Sequence, residues 1–109
     1  MTELQEVESM ARELADGLRR LYGPKLRELI LYGSWARGDA REDSDIDFLV
    51  VLDKYEGFSK ELHRIVEVSS DVGLKYNVHV STQPISYERY KEGQESFLEG
   101  VRKEGKRVA

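Results

Sequence analysis

Leu4, Val7, Ala11, Leu14, Leu18 and Leu21 recur at intervals of three and four residues, the repeat that lays side chains in one stripe along an α-helix. The stripe predicts a helix over residues 2–21. Thr2 and Gln5 have the spacing of a capping box at its start, and Tyr22-Gly23-Pro24 stops it. Gly17 lies inside this helix, where glycine costs about 1 kcal/mol relative to alanine, so burial of the stripe must offset it.

From Leu26 to Tyr32 the pattern changes. The run Leu29-Ile30-Leu31-Tyr32 is apolar on both faces, as in a strand covered on both sides or central in a sheet. Ile46–Leu52 repeats this pattern and predicts a second buried strand. The segment between them, Gly33–Ser44, is small, polar and charged and predicts only a turn or a short helix. Tyr55-Glu56-Gly57 breaks the chain, and Ser59 is placed to cap a helix running to about Gly73. Phe58, Leu62, Ile65, Val68 and Val72 follow helical spacing there. Tyr76–Thr82 then alternates, with Tyr76, Val78 and Val80 on one face and Asn77, His79 and Ser81 on the other. That predicts a third strand, which Pro84 ends. Ser86 is placed to cap a short helix holding Tyr87 and Tyr90. Phe97, Leu98 and Val101 predict a last helix, stopped near Gly105. The order of elements indicates an α/β (α+β) class, a small mixed sheet with flanking helices, in one domain spanning residues 1–109.

Composition narrows the function classes. A chain of 109 residues supports one core, burying roughly 65% of the surface that the unfolded chain exposes. With no cysteine there is no disulfide framework, thiolate zinc site or thiol nucleophile, which suits a reducing compartment. The balance of 17 Lys+Arg against 21 Asp+Glu, a net charge of −4, argues against coating nucleic acid, so no direct nucleic-acid binding is expected. Charged residues make up 35% of the chain, a composition that leans toward a heat-adapted source. No apolar run reaches the ~20 residues that span a membrane, and Glu3, Glu6 and Glu8 are unlike a signal peptide. The expectation is a soluble, cytoplasmic protein.

The chemistry concentrates in Tyr32-Gly33-Ser34-Trp35-Ala36-Arg37-Gly38-Asp39, followed by Ser44-Asp45-Ile46-Asp47-Phe48-Leu49-Val50-Val51. Asp45 and Asp47 are two apart in a strand, so both side chains leave one face, with Cα atoms roughly 6.5–7 Å apart. Leu49 and Val51 continue that face as apolar core. Two carboxylates left unpaired at the start of such a strand are costly. A shared hard cation removes the cost, and Mg²⁺ is typically held by one or two carboxylates together with phosphate oxygens and water. Gly33 lets the main chain approach a ligand closely, free N–H groups at a helix start favour phosphate, and Ser34 adds a hydroxyl. Ser34 and Asp45 stand 11 residues apart on neighbouring strands, where a Mg²⁺-triphosphate would bridge both.

Gly33-Ser34-x-Ala36-Arg37-Gly38, then Ser44-Asp45-x-Asp47 leading into an apolar strand, resembles the signature of the DNA polymerase β-like nucleotidyltransferase superfamily. The size and the ending Phe97-Leu98-Glu99-Gly100-Val101-Arg102-Lys103-Glu104-Gly105 are similar to its minimal nucleotidyltransferase group. The resemblance implies a nucleotidyltransferase fold and Mg²⁺-dependent transfer of a nucleoside monophosphate, with release of pyrophosphate. Carried over by residue, it implies that Gly33 and Ser34 bind phosphate and that Asp45 and Asp47 bind two Mg²⁺ ions.

One expected feature is missing. Catalytic members often carry a third carboxylate on a later strand, and the corresponding strand here, Tyr76–Thr82, offers Asn77 and His79. Asp53 is too far, since six extended residues carry it about 20 Å beyond Asp47, and the reach of Asp71 depends on a turn. His79 can serve as the general base, because imidazole titrates near neutrality; alternatively the chain only binds nucleotide or partner. Arg37 can contact a phosphate, or it can hold Asp39 and Asp43 within the cluster Arg37, Asp39, Arg41, Glu42, Asp43. Trp35 can stack on a base or pack beneath its loop, and Tyr87 and Tyr90 can be core or partner contacts. Lys103, Lys106 and Arg107 read as a solvated end, too few for a nucleic-acid patch.

No residues are left over for the helical region that positions the acceptor in larger nucleotidyltransferases. The acceptor site is therefore shallow, or is completed by another subunit or a partner protein. Similar minimal nucleotidyltransferases are commonly paired with a small all-helical HEPN-type protein, frequently a toxin ribonuclease. Some act as antitoxins by transferring AMP from ATP to a tyrosine of that partner, and the resemblance implies this role here. Competing readings are transfer to a small-molecule hydroxyl, with a homo-oligomer supplying the pocket, and a binding module that neutralises its partner by contact alone.

Overall fold

The apolar stripe folds as helix α1, Leu4–Tyr22, burying Val7, Ala11, Leu14 and Leu18 together with Met10 and Ala15, which widen it. Thr2, the proposed cap, lies outside the residues that this computed structural model describes, 4–41 and 43–109, as does Glu42 of the mixed-charge cluster. A single 3-10 turn, Gly23–Lys25, leads into β1, Leu26–Tyr32. Helix α2, Ser34–Arg37, is one turn long, and β2 spans Ile46–Leu52. Then come α3, Phe58–Tyr76, and β3, Val80–Ser86. Two short helices follow, α4, Tyr87–Glu92, and α5, Ser96–Glu104, and the chain closes on β4, Lys106–Arg107.

The four strands form one sheet in the order β3-β2-β1-β4. β2 runs antiparallel to β1 and parallel to β3, and β4 pairs antiparallel with β1. One face carries Leu29, Leu31, Ile46, Phe48, Val50 and Leu52 against α1 and Ile65 of α3. The opposite face carries Ile30, Leu49, Val51 and Ile85 against Tyr90 of α4 and Leu98 and Val101 of α5. Helices on both faces explain why the two central strands read as unbroken apolar runs. Tyr90 is thus core, whereas Tyr87 is half-buried with the Arg27 guanidinium 3.9 Å from its ring centre.

Four sequence expectations change. The predicted strand Tyr76–Thr82 is instead the end of α3, a connection and the start of β3. Asn77 adopts the left-handed conformation at φ 56°, ψ 47° and closes α3, while Val78 N donates to Gly73 O at 3.0 Å. Asn tolerates this backbone, and the closure turns the chain so that the alternation becomes strand only from Val80 onward. Gly73 is required beneath it, since a Cβ there would lie 2.8 Å from Val78 O. At its other end α3 begins two residues early, with Gly57 in the N-cap position, so Ser59 sits within the first turn instead of capping it.

Pro84 does not end β3 but lies within it, paired with Val50. Ile46 N donates to His79 O at 3.0 Å, so along β3 the main chain of the odd-numbered residues turns toward β2 and that of the even-numbered ones turns outward. Pro84 belongs to the outward set of an edge strand, where a missing N–H breaks no ladder bond. Nor is the C-terminal end merely solvated. The Lys106 and Arg107 side chains are exposed, but their main chain forms β4, and Val108 N donates to Leu29 O at 2.8 Å. By contrast Ser86 caps α4 as expected, accepting from Arg89 N at 3.2 Å, and α5 stops at Gly105. No helix among the described residues is long and apolar enough to cross a membrane.

The glycine inside α1 has a packing reason. A Cβ on Gly17 would lie 2.6 Å from Val68 Cγ1 on α3, so α1 and α3 touch there at glycine distance. Helix propensity alone predicts that Gly17→Ala stabilises by about 1 kcal/mol, whereas overpacking typically costs about 1–3 kcal/mol. The expected result is a net loss on thermal or urea unfolding. In the Gly17→Ala/Val68→Ala pair, the cost of the alanine at 17 should shrink or reverse relative to Val68→Ala alone. A Gly17→Ala chain more stable than its parent would show that the helices readily move apart.

Candidate active site

β1 delivers the chain to Gly33, whose φ of +77° lies in the region that favours glycine. Gly33 O accepts from Ala36 N and Arg37 N, both at 3.1 Å, and so starts α2. Gly38, at φ +84°, closes the helix by donating its N–H to Ser34 O at 3.0 Å. One helical turn is thereby fixed between two glycines. The N–H groups of Ser34 and Trp35 precede its first intrahelical bond and are free to donate elsewhere. Trp35 is half-buried against the α1 side of the core, and its Nε1 reaches Ser44 O at a long 3.5 Å. It packs beneath the loop and ties α2 to the entry of β2.

Asp47 is the second residue of β2, with Tyr32 opposite it on β1 and Ser81 opposite it on β3. Asp45 precedes the strand by one residue, and the twofold repeat of a strand puts both acids on the α5 side of the sheet with Leu49 and Val51. The Asp47 carboxylate lies directly against Gly33, where any Cβ would collide with its Oδ2. Glycine is thus needed twice over, for its backbone angle and for its missing side chain.

Burial, and secondly the charge of Asp45, push the Asp47 carboxyl above the ordinary carboxylate range, while His79 and Arg37 pull it partly back. His79 Nδ1 stands 3.1 Å from Asp45 Oδ1, with both side chains more than half exposed. Arg37 Nε lies 3.3 Å from Asp39 Oδ2. The guanidinium therefore serves the surface pair and acts on Asp47 at the same time. The Tyr32 phenol is pushed up to about 12, first by burial and then by the charge of Asp47. Its ring meets Phe97 edge-on, centroids 5.4 Å apart. A cavity of about 320 Å³ opens beside it, lined by Tyr32, Gly33, Arg37 and Phe97 along α5.

The fold thus gathers Gly33, Ser34, Arg37, Asp45, Asp47 and His79 at one end of the sheet. Asn77 does not join them, because it caps α3 and shares no strand face with His79. Asp53 is held by Arg27 Nη1 at 3.2 Å near the other end of β2, and Asp71 is exposed on α3. Three residues that sequence reasoning did not assign to the site border it: Tyr32, Phe97 and Ser81. Ser81 stands on β3 directly beside Asp47, so a hydroxyl fills that neighbouring position. The parallel pairing of β2 with β3 sets this juxtaposition, and no local spacing encodes it.

Among the described residues no three His, Cys, Asp or Glu side chains form a ready-made metal cage. The acid pair nevertheless fits a divalent ion of the Mg²⁺ type, which takes one or two carboxylates and completes its shell with phosphate and water. Burial first, and repulsion by Asp45 second, raise Asp47, as expected of a carboxylate whose charge is only partly balanced within the chain.

Comparison with known proteins agrees with this geometry. Residues 11–107 match the nucleotidyltransferase domain family. A provisionally named protein adenylyltransferase of Methanocaldococcus jannaschii is 33% identical over 103 residues, covering 94% of this chain and 99% of its own length. The protein adenylyltransferase MntA of Thermococcus cleftensis is 32% identical over 78 residues, 72% of this chain and 77% of that protein. In fold, a crystal structure of a toxin–antitoxin with AMP-PNP aligns with TM-score 0.62 and 20% identity, covering 94% of this chain and 72% of that one. A crystal structure of the toxin–antitoxin MntA-HepT aligns with TM-score 0.55 and 18% identity over 92% and 69% of the two chains. With the Gly33 turn and the Asp45–Asp47 pair in place on a shared fold, the chain belongs to the nucleotidyltransferase domain family and is a nucleotidyltransferase of the minimal, MntA-like group.

Proposed function

We propose that this chain transfers AMP from ATP to a tyrosine hydroxyl of a HEPN-type helical protein, acting as the antitoxin of a cytoplasmic pair. The observation that carries the reading is the Asp47 carboxylate lying against the Gly33 backbone. It brings a carboxylate ligand for a divalent ion and a phosphate-binding turn within contact. The relatives named as protein adenylyltransferases support AMP transfer to a protein, and the neighbour with AMP-PNP supports an adenine nucleotide.

In this reading Gly33 admits the triphosphate close to the main chain, and the N–H groups and hydroxyl at Ser34 donate to its oxygens. Arg37 adds positive charge at the edge of the same cradle. Asp45 and Asp47 would hold Mg²⁺, two ions in the fully loaded site, which supply charge neutralisation on the phosphates. His79 Nδ1 stands 3.1 Å from Asp45 Oδ1, and with the proton held on Nδ1 the Nε2 lone pair would serve as base. The tyrosine oxygen then bonds to the α-phosphorus as the bond from that phosphorus to the bridging oxygen breaks. Pyrophosphate departs with the bonding electrons, and the phenolic proton passes to His79 Nε2.

A second reading is favoured by one feature. Ser81 beside Asp47 is a hydroxyl where a third carboxylate would complete the acid set. On that ground the chain would bind nucleotide and partner and neutralise the partner by contact alone.

Co-expression with the HEPN-type protein separates the two. The expected result by intact mass spectrometry is a partner gaining one AMP, lost in Asp45→Asn, with His79→Ala slowing transfer by about 10²–10⁴-fold, as for removal of a general base. An inhibited partner that stays unmodified supports the binding module. An undiminished rate in His79→Ala removes that residue from the chemistry.

Asp47 also links stability to function. Its folded-state pKa is raised, so the folded chain holds that proton more tightly than the unfolded chain does. Its ionised form therefore costs stability above the raised pKa, and the cost fades as pH falls through that value to the unfolded one. Asp47→Asn is expected to melt higher than the wild-type chain at pH 7 without ligand, with the gap closing toward pH 4. The same variant should lose the stabilisation by Mg²⁺-ATP, which at 100 times the dissociation constant amounts to about 2.7 kcal/mol. A full ligand-induced rise in Asp47→Asn would place the metal elsewhere.

A further inference from the structure

Leading away from the acid pair is a groove of about 820 Å³ between α3 and the edge of β3. Ser69, Ser70 and Gly73 line its α3 side, together with Val66 and Leu74, which are 42% and 81% exposed. Its other side is the β3 segment from Val80 to Thr82. His79, in contact with Asp45, stands where the groove meets the site.

β3 is an edge strand, so its outward main chain lacks a strand partner among the described residues. With His79 O directed to Ile46 N, the outward groups are those of Val80, Thr82, Pro84 and Ser86, the last of which already caps α4. Pro84 has no N–H, and its carbonyl accepts from Tyr55 Oη at 3.4 Å. The edge left to pair is thereby narrowed to Val80 and Thr82, the stretch nearest the acids, with Thr82 only 6% exposed and its hydroxyl 3.4 Å from that of Ser69. Elsewhere along β3, proline and tyrosine close it.

We propose that the acceptor polypeptide enters as an extended segment, pairing its main chain with Val80 and Thr82 at the free edge of β3. This inference rests on the protein-acceptor reading above and names how that acceptor is held. Main-chain pairing gives affinity in this mode, and alternate side chains give specificity. Side chains on one face of the added segment enter the groove beside Val66 and Leu74. Those on the other face come out on the side of Ser81 and Asp47. Two strand spacings, about 10 Å in all, separate the added segment from β2, a gap that a phenol and the phosphate it attacks fill together. The charge of the groove points to the same occupant. His79 is the one ionisable side chain among the described residues that line it, so it offers nothing to a polyanion and suits a neutral peptide. The acceptor tyrosine is accordingly flanked on both sides by small or apolar residues.

The test measures AMP transfer to the co-expressed HEPN-type protein by the wild-type chain and by the Val66→Asp/Leu74→Asp double variant. Both positions are solvent-exposed, so the variant is expected to fold, and an unchanged melting shift with Mg²⁺-ATP verifies its nucleotide site. The expected result is a rise of tenfold or more in KM for the acceptor protein, with KM for ATP within twofold of wild type. Hydrogen exchange gives a second readout, in which the Val80 and Thr82 amides of the wild-type chain slow by tenfold or more when the acceptor binds. An acceptor KM within twofold of wild type, or amides that exchange as before, overturns the docking mode while leaving AMP transfer intact. A wild-type chain that transfers no AMP overturns the protein-acceptor reading and the docking mode with it.

Discussion

Asp47 stands where two demands on the chain meet. It is the second residue of a strand whose every other side chain is buried, and it presses on the one residue of the Gly33 turn that has no side chain to yield. Moving the acid outward would break its pairing with Tyr32 and Ser81; adding a side chain at residue 33 would displace its carboxylate. The remaining site residues are arranged around that contact. Asp45 shares its face, His79 Nδ1 stands 3.1 Å from an Asp45 oxygen, and Arg37 sits across the turn on a helix that Gly33 itself starts.

Such a contact needs a rigid floor, and the sheet supplies one. β2 is central, bonded to β1 on one side and β3 on the other, and its residues 48–52 are fully buried between two helical layers. Far from the acids, Tyr22 Oη donates to Glu61 Oε2 at 2.6 Å and Arg64 Nη1 to Oε1 at 3.2 Å, joining α1 to α3 through a buried, fully partnered carboxylate. The two regions treat acids in opposite ways. Glu61 has a hydroxyl and a guanidinium and is satisfied within the chain. Asp47 has a like charge as its strongest charged neighbour and only partial relief from His79 and Arg37. Perturbation of this kind clusters at functional sites because the missing partner arrives with the ligand.

Much of this was legible in the chain. The helical stripe of α1, the apolar runs of β1 and β2, the Ser86 cap and the Gly33-Ser34 and Asp45-x-Asp47 spacings are local patterns, and each is realised. The failures share a cause. Tyr76–Thr82 alternates well enough for a strand, but α3 holds its last turn because its residues bury against α1 and the sheet, and Asn77 can take the left-handed closure that ends it. Pro84 reads as a terminator until β3 is known to be an edge whose even-numbered residues face outward. Lys106–Arg107 reads as a polar tail because two residues show no period, and only the free edge of β1 makes them a strand. Tertiary neighbours decide all three, and a neighbour across the sheet leaves no mark on local spacing.

The same pairing geometry explains what kind of site the chain builds. A third acid on β3 would face Asp47 across one strand spacing; Ser81 stands there instead, and His79 reaches the acids from the connection before the strand. A side chain on a connection is set by the helix end behind it, and here that end is fixed by Asn77, by Gly73 beneath it and by the Val78 N to Gly73 O bond. The residues that misled the strand assignment are therefore those that aim the imidazole. The turn that closes α3 also leads into the free edge of β3 next to the acids, so one local closure sets both the imidazole beside Asp45 and the open edge beside it.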